Sequence, residues 1–469
     1  MKKINFKILI LLLSVFAFSC EDALELEPAQ SLSTAEAISD LEGLQAALNG
    51  AYDGLQGLSY YGRDFQVMWE ANSDNAYIST QNSNRFLNSY QYQLSPFDGN
   101  VLGFWEIGYN TILRANNIIN AEITDADTDA IDQAVGEAYI IRALVHFDLV
   151  RAFALPYAEG NGAQDGIPYV KEAFIGQPAR DNVSTVYTNI IQDITDGKAL
   201  MNDASVGPYR FTDGSADALL ARVYLYMNDL TNAYTTANAV RAQYGLTAGA
   251  DVVDFWDSSD NPEEIFTLQF VGNESRGANN FGYIYLDPQI GYGDIRVTDD
   301  LLSEYDAADP RLDLYAEISG EMFNTKFDGE SAIGIPGLVS PKVIRNAEMY
   351  FIAAEAAARN NDPANARTIL NEFRASKGLA ALTTTDVPNN GLLDEIIAEK
   401  NREFAFEGHR TFDLFRLGRE LTRTQCGTGI EVSAPCFLPA NSPLRIFPIP
   451  QSERDVNPNM TQNDGYQGS

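Results

Sequence analysis

Between residues 345 and 418 the chain repeats one apolar pattern three times, with a hydrophobic residue at every third or fourth position. Met349, Ile352, Ala353 and Ala356 stand at i, i+3, i+4 and i+7, which gathers them on one face of a helix. Asn360, Asn361, Asp362 and Pro363 interrupt the pattern; Asp362 is suited to cap the next helix and Pro363 to begin it. Ala366, Ile369, Leu370 and Phe373 mark a second apolar face, and Gly378 is placed to end it. Leu393, Ile396, Ile397 and Phe404 predict a third helix that ends at Gly408.

Small residues, Ala354 and Ala366, occupy the points where the first two helices must cross closely. The same spacing separates Ala221 from Ala233 within ALLARVYLYMNDLTNAYTTANAV. Helix pairs with a repeated small-residue spacing read as tetratricopeptide-type hairpins, which stack because one pair cannot bury its apolar face alone. Further helical patterns cover residues 34–52, 105–120, 129–154, 183–200 and 216–244. Two long stretches differ in kind. Residues 54–100 are rich in Tyr, Asn, Gln, Ser and Gly, with weak periodicity, and are expected to be mostly loop. Residues 251–340 predict an irregular layer with short strands, such as IFTLQF at 265–270. A long structured insertion in a helical repeat usually carries function.

RNAEMYFIAAEA, ARTILNEFRASKG and EIIAEKNREFAFEGHRTFDLFRLG together resemble the C-terminal signature of the SusD/RagB family, nutrient-binding outer membrane lipoproteins of Bacteroidetes. The closing LRIFPIPQSERDVNPNMTQNDGY resembles the family's ending, and FWEIGYNTILRANNII its N-terminal helix. The resemblance implies a mainly α fold, a stack of four tetratricopeptide-like pairs beneath a loop-rich face with short β-strands. Helical pairs spread from end to end with no linker-like tract, which reads as one body over residues 20–469; the resemblance adds no catalysed reaction and no cofactor. It also implies that the protein captures a glycan and passes it to a SusC-like TonB-dependent barrel, on which it sits as a lid. Two other readings stay open: peptide uptake, which some relatives serve, and a repeat scaffold for protein partners.

The N-terminus fits an exported lipoprotein. Lys2, Lys3 and Lys7 precede an apolar run from Ile8 to Phe18, too short to span a bilayer well and typical of a signal peptide over residues 1–19. Cys20 follows, as in bacterial lipoproteins, where that cysteine is lipidated; Phe18 is bulky for the motif. Glu21 and Asp22 resemble the acidic tract that directs such lipoproteins to the cell surface. Ordinary cleavage leaving a free Cys20 is the alternative. An even pair, Cys426 and Cys436, then remains in a Gly/Pro-rich loop, which favours a disulfide over two free thiols or half a metal site.

A formal charge of −33 argues against nucleic acid and anionic lipid surfaces as partners. Reactive groups are scarce: His146 and His409 are the two histidines, and HExxH, GxSxG and Walker A motifs are absent from the sequence. Glu403, Glu407, His409, Arg410, Asp413 and Arg416 form the densest charged cluster, with a spacing suited to ion pairs and caps. Asp125, Asp127 and Asp129 alternate as in a calcium loop, but Ala130 and Gly136 stand where the turn glycine and the bidentate glutamate belong, so a solvated capping loop is expected and no metal.

The loops offer binding chemistry instead. Sugars present apolar C–H faces beside many hydroxyls, so a glycan site calls for exposed aromatic rings with Asn, Gln, Asp and Arg nearby. NAYISTQNSNRFLNSYQYQ at 75–93 has that mixture and precedes the Trp105 helix, where the family's starch-binding founder places part of its glycan platform. NNFGYIYLDPQIGYGDIR at 279–296 is the second such tract. The glycan-binding candidates are Tyr77, Arg85, Phe86, Tyr283, Tyr285 and Tyr292; for each ring, burial against its own loop is the competing reading. Trp69, Trp105 and Trp256 are expected as core or loop anchors.

Overall fold

The computed structural model describes residues 34–202, 207–259 and 261–466. The signal segment, Cys20 and the tether through Pro28 lie outside the described residues. The helices that matter here are α1 (Leu41–Leu55), α2 (Asp64–Ala71), α3 (Gly99–Ile119), α4 (Thr128–Phe153), α5 (Val183–Leu200), α6 (Asp213–Tyr226), α7 (Leu230–Arg241), α8 (Asn346–Arg359), α9 (Pro363–Ser376), α10 (Leu392–Phe404) and α11 (Arg410–Arg416). Among the described residues α1 packs on α3, α4 on α5, α6 on α7 and α8 on α9; α3 also meets α4, and α7 meets α8, which joins the pairs into a stack. This is the mainly α, tetratricopeptide-like stack expected from the sequence.

Close crossings are made by missing side chains. A Cβ on Gly54 of α1 would lie 2.4 Å from Thr111 Oγ1 of α3. Gly136 and Gly197 bring α4 and α5 so near that a Cβ on either would meet the other's carbonyl oxygen at 2.7 or 2.8 Å. Ala221 and Ala233, and Ala354 and Ala366, do the same work and are fully or almost fully buried. Asp362 caps α9 as the pattern implies, accepting from Asn365 N at 3.2 Å.

Several boundaries move for physical reasons. The helical pattern at 34–52 is two helices, because the Asp40 carboxylate takes the Gly43 N–H at 2.8 Å and starts α1 afresh. The apolar edge of α10 runs through buried Leu392 rather than half-buried Leu393, and the helix stops at Phe404; Gly408, with φ +76°, belongs to the turn before α11. Residues 54–100 are mostly turn and loop, as expected, but the stretch also holds α2, with every residue buried, and Tyr60, Tyr61, Phe65, Trp69, Tyr90 and Tyr92 are core. A helix covered on all sides shows no amphipathic stripe, so its periodicity is silent.

Short strands cover the stack: β1 (Ala76–Ile78), β2 (Glu264–Thr267), β3 (Ile295–Val297), β4 (Tyr315–Ile318), β5 (Glu321–Asn324), β6 (Lys342–Arg345), β7 (Leu421–Thr422) and β8 (Phe437–Leu438). They pair antiparallel as β1–β3, β2–β6, β4–β5 and β7–β8. A buried charge network clamps this layer to α10. Arg345 meets Glu263 and Glu403 at 2.6 Å and Glu407 at 2.8 Å, while Arg311 meets Glu399 at 2.5 Å and Lys326 meets Glu407 at 3.0 Å. Removing one partner would strand a buried charge, which is how such networks fix one arrangement even where their net contribution to stability is small.

The remaining charged candidates are structural as well. Arg416 binds Glu355 at 2.5 Å and Asp413 at 2.6 Å, Lys400 binds Asp413 at 2.9 Å, and Arg410 binds Asp74 at 2.7 Å. His146 is fully buried, donates from Nδ1 to Arg142 O at 2.9 Å and accepts Val170 N–H at 3.1 Å; burial pushes its pKa down to about 3. Burial likewise holds His409 well below the usual imidazole range. Asp127 caps α4 through Ala130 N at 3.2 Å, and Asp125, Asp127 and Asp129 are exposed.

Candidate functional site

The site is built where two tracts far apart in sequence meet across β1 and β3. Their register pairs Ala76 with Val297, Tyr77 with Arg296 and Ile78 with Ile295. After β1 the chain turns back over its partner. Asn82 caps this turn by accepting Asn84 N–H at 2.7 Å, and Asn84 and Phe86 take φ values of +64° and +57°. Ser83 N donates to Asp294 Oδ1 at 3.0 Å, and the Ser83 hydroxyl bonds the same carboxylate. Burial raises the Asp294 pKa, an effect partly offset by the two Ser83 hydrogen bonds.

These contacts fix Arg85 with its guanidinium carbon 3.9 Å from the centroid of the Tyr292 ring. Tyr283 meets Tyr292 edge to face at 5.2 Å, and Tyr292 N donates to Tyr283 O at 2.9 Å. Arg85, Tyr283 and Tyr292 are half-buried, with Ile290 exposed beside them. Among the described residues Arg85 forms no ion pair within 4.0 Å, so its N–H donors remain uncommitted above a ring that already holds the group flat. A cation fixed over an aromatic face, beside a second ring and buried acceptors, is suited to a neutral ligand that offers hydroxyls and an apolar surface.

The other three candidates are corrected. Tyr77 is buried at 3% exposure, Phe86 at 5% and Tyr285 at 0%. All of β1 is covered, so the alternation that would have distinguished its outward face is missing. Phe86 lies under the Arg63 guanidinium at 5.5 Å, and Tyr285 packs among Phe281, Phe327 and Phe406. These rings are part of the core and do not face solvent. Trp69 and Trp105 are core, and Trp256 is half-buried against Phe327.

Sequence reasoning also missed Ser83 and Asp294, joined across 211 positions without any local signal, and the hairpin on the other edge of β1. Cys426 and Cys436 are disulfide-bonded with Cα atoms 5.3 Å apart. Their loop adds to β1: Val432 N donates to Ile78 O and Thr80 N to Ile430 O, both at 2.7 Å. Inside it the Glu431 carboxylate gathers the N–H groups of Gly427, Thr428 and Gly429 at 2.9–3.1 Å. The strand that launches the Arg85 turn is thus held from both sides.

A helical repeat carrying a polar–aromatic cluster on a covering layer defines a binding protein built on a scaffold. The chain belongs to the SusD/RagB family: the SusD family matches residues 339–466, and the family described as starch-binding associating with outer membrane matches residues 22–225. SusD-like protein P2 of Formosa agariphila is 28% identical over 99% of this chain and 100% of its own length. A SusD superfamily protein of Bacteroides vulgatus superposes with a TM-score of 0.82 at 26% identity, covering 92% of this chain and 100% of that one. Another, from Bacteroides thetaiotaomicron, gives 0.82 at 26% over 90% and 99%.

Proposed function

We propose that this protein captures oligo- or polysaccharide at the cell surface through Arg85, Tyr283 and Tyr292, and delivers it to a SusC-like TonB-dependent barrel. The observation that carries this reading is the uncommitted Arg85 guanidinium stacked 3.9 Å over Tyr292, with Tyr283 edge-on. Together they offer an apolar ring edge and N–H donors within one sugar's reach. The description of the family matched at 22–225, starch-binding with outer membrane association, supports both the ligand class and the compartment. Cys20 then supplies the lipid anchor, and the barrel receives the ligand. Arg85→Ala and Tyr292→Ala, titrated with maltoheptaose and a panel of soluble β-glucan and mannan oligosaccharides, test the reading. Each substitution should weaken binding of the sugar that wild type takes by about 1–3 kcal/mol. A wild type that binds none of the panel, or variants that bind as tightly, would refute it.

A further inference from the structure

A groove that shares no residue with the Arg85–Tyr292 cluster runs along α3. Two hollows of about 480 and 540 Å³ lie between this helix and the segment 168–178, and they share Asn116 and Glu172. Lining residues extend along the helix from Trp105 to Ala121. At 1.5 Å per residue that is about 24 Å, the length of about seven residues of extended chain.

The groove carries three kinds of group in an order that matches a polypeptide. Asn110 lines the first hollow and Asn117 the second, and neither side chain is hydrogen-bonded within the described residues. Seven positions apart, they stand about 10 Å from each other on one helix face, the spacing of three residues along a strand. A side-chain amide both donates and accepts, so two at this distance can clamp the N–H and C=O groups of an extended backbone. Trp105 and Tyr109, with ring centroids 4.8 Å apart, and Phe174, 56% exposed, give the first hollow apolar walls. Around them stand Glu106, Glu172 and Glu453, with Glu122 in the second hollow, and among the described residues no Lys or Arg lines either one.

We infer that this groove binds an extended basic segment of another polypeptide, with Lys or Arg set beside apolar side chains. The chain's own stretch after Cys20 carries Glu21, Asp22, Glu25 and Glu27, the wrong sign for this rim. The probe is a fluorescein-labelled heptapeptide of alternating Lys and Leu, titrated into the full protein at 150 mM salt and read by anisotropy. Saturable binding is expected, weakened tenfold or more by Asn110→Ala/Asn117→Ala and by Phe174→Ala, with melting unchanged, and unaffected by Tyr292→Ala. Phe174 is exposed, so its variant keeps the fold whatever the paired asparagine change does. Three results would overturn the inference: no saturable binding, equal binding by the groove variants, which would mean unspecific adhesion to an acidic surface, or displacement of the peptide by maltoheptaose, which would make the groove a glycan site. Since Tyr292→Ala separates the two surfaces, failure here leaves the glycan reading standing, and the converse holds.

Discussion

At the scale of single residues, the side chains that titrate near neutrality are structural, and they set how the protein answers to acid. His146 is neutral in the fold, with burial holding its pKa at about 3 against an unfolded value near 6.5. Its contribution is therefore complete above about pH 6.5 and is lost as pH falls from there toward 3, by up to about 1.4 kcal/mol per pH unit. Burial opposes the charged form of Glu399, but Arg311 and Arg402 outweigh it and hold the carboxyl down at about 2. That contribution is present above about pH 4.5 and is lost between there and pH 2. Chemical denaturation followed from pH 8 to 3 should show a slope beginning below 6.5 and steepening below 4.5. His146→Gln should make the first part shallower, leaving the share that buried His409 contributes in the same window, and leave the second unchanged. The six glycan candidates show how far residue identity alone reaches. Arg85, Tyr283 and Tyr292 meet on the surface; Tyr77, Phe86 and Tyr285 are buried. Tyr and Asn in quantity look like a loop, yet here the tyrosines fill the layer between strands and helices, and nothing local separates a covering ring from a covered one.

At the scale of elements, the helix pairs were legible because half-buried helices must show the 3.6-residue period. Residues 183–200 and the Asp362–Pro363 start of α9 fall where the pattern puts them. What was silent is equally physical: α2 is buried all round, and the glycine crossings of α1 with α3 and of α4 with α5 leave no apolar residue to count. Ala354→Leu should force α8 off α9 and destabilise by about 1–3 kcal/mol, measured as a lower midpoint in denaturant. Gly197→Leu should cost more, because the obstacle there is the backbone carbonyl of Gly136. An unchanged midpoint in both would mean that the helices do not cross at these positions. The Cys426–Cys436 loop adds its own term: replacing both with serine should remove roughly 2–3 kcal/mol by freeing the unfolded chain. The two sulfurs should resist alkylation until reduced, and ready labelling without reductant would contradict the pairing.

At the scale of the whole molecule, the stack carries the covering layer, and the proposed glycan site lies on that layer. The clamp of Arg345, Glu403 and Glu407 ties that layer to α10, and the disulfide hairpin ties β1, so the turn bearing Arg85 starts from a strand with no freedom to shift. The long-range half of this design could not be read from the sequence, since Ser83–Asp294 and Val432–Ile78 join segments hundreds of positions apart. Membrane attachment is testable separately: labelled fatty acid should enter the wild-type protein in a Bacteroidetes host and be absent from Cys20→Ala, while an unlabelled, released wild type would end the anchor proposal. The central claim is that ligand is held by the three surface residues, while the buried ones are part of the core. Calorimetry on Tyr292→Ala and Tyr285→Ala, paired with melting curves, tests it most directly. The account predicts that Tyr292→Ala loses about 1–3 kcal/mol of oligosaccharide binding at an unchanged melting temperature, whereas Tyr285→Ala melts lower because a core ring is gone. Tyr292→Ala binding like wild type, or Tyr285→Ala losing ligand without losing stability, would contradict it.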